Sequence, residues 1–123
     1  MGVSSVGRLS ILLIIFGNAI RYLAIKQLGN YFTVKLHIQN NQELIINGLF
    51  SYVRHPSYTG VIMSFIGLAF LLNNNYGTFA IILPVISVFL YRIYVEEKVL
   101  KAYFGSQYEK YQERVPMLIP RLW

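Results

Sequence analysis

The chain has 123 residues, 55% apolar and 13% charged, with a mean hydropathy of +0.48 and a net charge of +6. That length holds one domain, and so little charge leaves too few polar side chains to clothe a soluble one, which points to a membrane. The lack of Cys excludes disulfides, thiolate metal sites and cysteine nucleophiles. No metal site is expected, and the basic residues flank apolar runs instead of forming a face for nucleic acid, so they are read as facing anionic lipid.

In chain order, the first apolar run covers residues 9 to about 28 and is interrupted by Asn18, Arg21 and Lys26. No small-residue cleavage site precedes Arg21, so the run is read as an uncleaved helix whose basic end snorkels. Residues 30–51 read as mostly extended, with Phe32, Val34, Leu36 and Ile38 alternating before a polar stretch. They are not a further crossing. Runs 58–72 and 76–95 are separated by Asn73, Asn74 and Asn75, which favour a turn, so they predict a helical hairpin, with Pro84 bending its second arm.

Beyond Val95, apolar residues Val99, Leu100, Tyr103, Phe104, Tyr108 and Tyr111 recur at helical spacing among Lys and Glu. This predicts an amphipathic helix lying at the interface, broken at Gly105 and ended by Pro116 and Pro120. The fold class is therefore all-α: an integral membrane protein with about three transmembrane helices. Residues 1–31 hold the first and 32–123 the remainder. On that three-span plan Arg8 falls on one side, and Lys26, Lys35, Arg54, Arg92, Lys98 and the tail's basic residues fall on the other. The positive-inside rule then puts the N-terminus outside and the C-terminus in the cytoplasm.

An antiparallel hairpin brings the start of its first arm to the end of its second, so Arg54, His55 and Tyr58 should meet Arg92, Glu96 and Glu97. Pro56 suits a first helical turn, whose free N–H groups favour an anion. Two carboxylates at a helix C-terminus oppose the dipole and call for a cation. A zwitterion fits between them. The methionine part of S-adenosylmethionine is one, and Tyr52, Tyr58, Tyr91 and Tyr94 offer cation–π contact to its sulfonium. Composition and spacing alone leave a plainer reading open, and favour it: interfacial anchors, an aromatic belt and a solvated helix exit.

The stretch GLFSYVRHPSYTG at 48–60, an apolar hairpin, RIYVEEKVL at 92–100 and YFGSQYEKYQERVP at 103–116 together resemble the isoprenylcysteine carboxyl methyltransferase family, over roughly residues 32 to 123. The resemblance implies a cofactor-binding catalytic module that uses S-adenosylmethionine at the cytoplasmic ends of these helices. It implies that His55, Pro56, Ser57 and Tyr58 belong to the cofactor motif, that Phe50 is an aromatic cofactor contact and that Glu96 is the cofactor-binding acid. Gln42, Glu43, Leu44 and Ile45 align with the loop over the adenosine, and Lys35 with a further contact. Gln42 stands where many relatives carry His, and Phe50 where Tyr is usual. Arg92 matches the arginine that holds the substrate, with Arg54 beside it as a second substrate contact.

The implied reaction is carboxyl O-methylation of an isoprenylcysteine-type acceptor, which needs no general base because a carboxyl with a pKa near about 4 is already ionised. An amine acceptor, as in phospholipid N-methyltransferases, would instead need Glu97 or His55 to take a proton. Sterol reductases would need more phosphate-binding basic residues than Arg54 and Lys35 supply. Relatives usually carry further membrane helices before this module. The chain is accordingly expected to be a minimal member, a fragment or non-catalytic scaffold, or a protomer of a homo-oligomer.

Overall fold

The computed structural model describes residues 5–29, 44–72 and 74–123. It contains α1 (Ser5–Leu28), a 3-10 turn (Gly48–Ser51), α2 (Pro56–Leu71), α3 (Asn75–Phe104) and α4 (Ser106–Arg114). No strand occurs among the described residues. Most of the segment expected to be extended, residues 30–43, lies outside them. Its last part folds into the 3-10 turn, entered through Gly48 at φ +60°.

Helices α1 and α3 are long and apolar enough to cross a membrane. At 16 residues α2 reaches about 24 Å against a hydrocarbon core of roughly 30 Å. Large apolar side chains face away from the protein along α1 (Leu9, Ile15, Phe16) and α3 (Phe79, Leu83, Val88). In water such continuous faces would be a liability; against lipid chains they are the expected surface of an all-α membrane protein.

The closest packing joins α1 to α2. Ser10 lies opposite Gly67, Gly17 opposite Gly60 and Ser64, and Arg21 opposite Ser57, so the two helices run antiparallel. A Cβ on Gly17 would sit 2.5 Å from the Gly60 carbonyl oxygen and 2.8 Å from the Ser64 amide nitrogen, and one on Gly67 would sit 2.6 Å from the Ser10 carbonyl. Lipid gives apolar helices no hydrophobic reason to associate, and backbones this close recover dispersion and polar contact instead. Ser64 Oγ lies in the seam, donating to the Gly60 carbonyl at 3.0 Å.

The expected α2–α3 hairpin is present. Asn74 caps α3, its side chain accepting from the amides of Tyr76 at 2.9 Å and Gly77 at 3.2 Å. Helix α3 passes through Pro84 unbroken, and of its residues Ile93 alone is buried. The amphipathic stretch differs from expectation. It does not begin a new helix at Val95, because α3 continues to Phe104. The run from Glu96 to Ala102 is made of good helix formers, so the change in polarity marks where the helix leaves lipid and not where it ends. The break falls at Gly105, whose φ of +60° suits glycine, and Val115 is extended as the residue before Pro116 must be. Tyr108, Tyr111 and Val115 then form a small core with Leu44, Phe50, Leu100 and Phe104.

Candidate active site

The hairpin brings together the six residues expected at its polar end, but gives them two different jobs. Pro56 takes the first position of α2, which ends the chain's approach through Arg54 and His55. The amides of these two residues donate to the carbonyls of Pro116 at 2.8 Å and Met117 at 3.1 Å, so the tail lies across the start of α2. Thr59 Oγ1 adds a bond to the Leu118 carbonyl at 2.8 Å.

Glu97 is the centre of one group. Its Oε2 accepts from Arg54 Nη1 at 2.5 Å and from the Tyr108 hydroxyl at 2.6 Å, with His55 Nε2 at 3.1 Å. The imidazole approach is close but off the line a hydrogen bond needs, and Nε2 has no well-directed partner. The side chains of His55, Arg54 and Glu97 are 2%, 12% and 15% exposed. Two directed donors, with the imidazole packed against the same oxygen, leave this carboxylate little to offer a ligand. Burial first, and then the Glu97 carboxylate, pushes the Tyr108 phenol well above the ordinary tyrosine range, so it remains a donor at any physiological pH. Burial likewise raises Tyr111, whose hydroxyl donates to the Phe50 carbonyl at 2.6 Å.

Glu96 stands apart. It is 34% exposed, accepts from the Tyr58 hydroxyl at 2.8 Å through Oε2, and has His55 Nδ1 only at 4.0 Å from Oε1. Arg92, one turn earlier on the same helix, lies near enough for its charge to act on the Tyr58 phenol, and the Tyr58 ring packs on Phe89 with centroids 5.5 Å apart. Tyr58 thus stands between Arg92 and Glu96, an i, i+4 pair that would otherwise tend to neutralise itself. A partly exposed carboxylate, a partly exposed arginine and a phenol near both put opposite charges at one edge, suited to a cation on one side and an anion on the other.

Other expected site residues are placed as follows. Leu44 and Phe50 pack against the Tyr108–Tyr111 core, and Ile45 is half-buried beside Leu44. Ser57 Oγ accepts from Arg21 Nη1 at 3.2 Å, so Arg21 does more than snorkel. Arg54, expected to hold substrate with Arg92, forms an ion pair with Glu97 through Nη1 at 2.5 Å. Tyr52, Tyr91 and Tyr94 remain largely exposed. Gln42, Glu43 and Lys35 lie outside the described residues. Tyr108, Tyr111 and Arg21 are participants the sequence reading did not single out for the site; the only signal was the i, i+3 spacing of the two tyrosines on one helical face.

The isoprenylcysteine carboxyl methyltransferase family profile matches residues 10–102, most of the chain and both arms of the hairpin. The chain belongs to that family. It is 32% identical to a probable protein-S-isoprenylcysteine O-methyltransferase of Oryza sativa subsp. indica over 117 residues, covering 94% of this chain and 61% of the relative. It is 36% identical to protein-S-isoprenylcysteine O-methyltransferase B of Arabidopsis thaliana over 110 residues, covering 88% and 56%. A solved structure of the eukaryotic intramembrane Ras methyltransferase, isoprenylcysteine carboxyl methyltransferase, superposes with a TM-score of 0.86 at 32% identity, over 95% of this chain and 43% of that one. The chain therefore spans roughly half the length of the family members it matches.

Proposed function

We propose that the chain is an S-adenosylmethionine-dependent methyltransferase that acts on the carboxylate of a membrane-embedded, isoprenylcysteine-type acceptor. The observation that carries this is the division between two adjacent carboxylates: Glu97 is enclosed by Arg54, His55 and Tyr108, whereas Glu96 stays 34% exposed beside Tyr58, with no hydrogen bond to Oε1 among the described residues. These residues fit the cofactor, whose ammonium suits Glu96 and whose carboxylate suits the N–H groups of the first turn of α2. When bound, S-adenosylmethionine supplies a methyl group activated by its sulfonium.

Arg92 holds the acceptor carboxylate by charge-assisted hydrogen bonds and orients it. Tyr58 keeps Arg92 and Glu96 from closing on each other. No base is required, since the acceptor is already ionised, and rate comes from alignment in a water-poor site. An amine acceptor would need Glu97 or His55 as base, and the commitment of the first and the burial of the second weigh against it. The basic residues at the hairpin's polar end support a cytoplasmic site with the N-terminus outside.

The test is calorimetric binding of S-adenosylmethionine to the detergent-purified chain, followed by transfer of labelled methyl to N-acetyl-S-farnesylcysteine. Binding that disappears in Glu96→Gln with the fold intact is the expected result. A folded wild type that binds no cofactor would leave a scaffold as the better reading.

A further inference from the structure

Five ties run from α4 and the segment after it into separate pieces of the site. The Tyr108 hydroxyl reaches Glu97 on α3, and the Tyr111 hydroxyl reaches the Phe50 carbonyl in the 3-10 turn. The carbonyls of Pro116, Met117 and Leu118 hold Arg54, His55 and Thr59 at the start of α2. Those three pieces are far apart in sequence or joined only through turns. Two of the ties are the hydroxyls of the tyrosines whose rings form the core under α4, and three are backbone carbonyls.

The tie to Glu97 has a geometric consequence. Adjacent residues on an α-helix project about 100° apart, so fixing the direction of Glu97 fixes the rotation of α3 about its axis and with it the direction of Glu96. Of α3 only Ile93 is fully buried, with Phe89 against Tyr58 and Leu100 and Phe104 against the Tyr108 core, so apolar packing leaves part of that rotation to polar ties. The Glu97 group supplies them: Arg54 bonds it from the entry to α2 and Tyr108 bonds it from α4, with the His55 imidazole packed alongside.

Building on the methyltransferase reading, we infer that Tyr108, on a helix beyond the membrane-spanning segments, is a positioning residue for the cofactor site. Its phenol holds Glu97, Glu97 holds the first turn of α2, and the resulting rotation of α3 presents Glu96 between Tyr58 and the open face. Tyr108 touches no ligand; it acts through Glu97.

The experiment uses the full chain in detergent and compares wild type, Tyr108→Phe and Gln107→Ala, an exposed neighbour on α4. Tyr108→Phe removes one oxygen atom and keeps the ring that packs on Tyr111 and Val115, so the fold is retained. Two quantities are read: the Kd for S-adenosylmethionine by calorimetry, and hydrogen exchange at the Arg54 and His55 amides with no ligand present. Tyr108→Phe is expected to weaken cofactor binding about tenfold, the scale of one lost hydrogen bond to a charged group, and to speed exchange at both amides, while Gln107→Ala changes neither. A Tyr108→Phe protein with wild-type affinity and wild-type exchange overturns the inference. If wild type binds no cofactor, the methyltransferase reading fails by itself, and exchange rates unchanged by Tyr108→Phe would still overturn the role of Tyr108 at the turn.

Discussion

Where α1 meets α2, glycines bring two backbones into contact and side-chain polarity contributes only Ser64 and the Arg21–Ser57 bond. Where α2 meets α3 at the polar end, one carboxylate gathers charged and phenolic donors, and close packing contributes little. The first seam is set by shape. The second is set by hydrogen bonds with directions, so it can aim a neighbouring group. A membrane site benefits from both: a close-packed frame, and an edge whose side chains are directed by hydrogen bonds.

The largest effect should come from spoiling the shape-determined seam. Gly17→Leu drives side-chain atoms into the Gly60 carbonyl and Ser64 backbone, and is expected to cost about 3 kcal/mol or more. Thermal unfolding in detergent checks this against Ile15→Leu on the lipid-facing side of the same helix, which should unfold with wild type. Equal behaviour of the two variants would mean that the seam is not the frame.

Next, the two carboxylates should separate. Glu97→Ala leaves the buried Arg54 without its counter-charge and is expected to lose about 3 kcal/mol of stability. Glu96→Ala, half-exposed and bonded to Tyr58 alone among its close contacts, should cost under about 1 kcal/mol while abolishing cofactor binding. Similar unfolding midpoints for the two would erase the distinction on which the site assignment rests.

Arg92→Lys keeps the charge but loses the forked guanidinium, so turnover should drop roughly 30-fold, about 2 kcal/mol, with cofactor affinity nearly unchanged. Single-turnover methyl transfer measures it; a loss confined to cofactor affinity would move Arg92 to the other ligand.

The smallest effect at ordinary pH concerns Tyr108 and Tyr111. Both phenols titrate higher in the folded chain than the value near about 10 of an unfolded one. For a group whose folded pKa is raised, the stabilisation is complete below the unfolded pKa and is lost as pH climbs toward the folded one. Unfolding midpoints should therefore be insensitive to these phenols up to about pH 10 and fall above it, less steeply in Tyr108→Phe. Parallel curves for the variant and wild type would show that the Tyr108 tie to Glu97 adds nothing.

Length, apolar runs and turn residues determined the all-α membrane architecture. The second expected run, 58–72, corresponds to Pro56–Leu71, and Asn74 in the turn caps the next helix. The polar end of the hairpin was legible too, because antiparallel pairing alone brings Arg54, His55 and Tyr58 to Arg92, Glu96 and Glu97. The α1–α2 seam had a readable but faint signal, small residues seven apart at Ser10, Gly17 and Ala24 and again at Gly60 and Gly67. Which of two neighbouring glutamates is the more enclosed, and that Arg54 pairs with it, was decided only by the tertiary structure. That choice depends on the rotation of α3 and on carbonyls of Pro116, Met117 and Leu118, and a backbone carbonyl is the same chemical group whatever the residue that carries it.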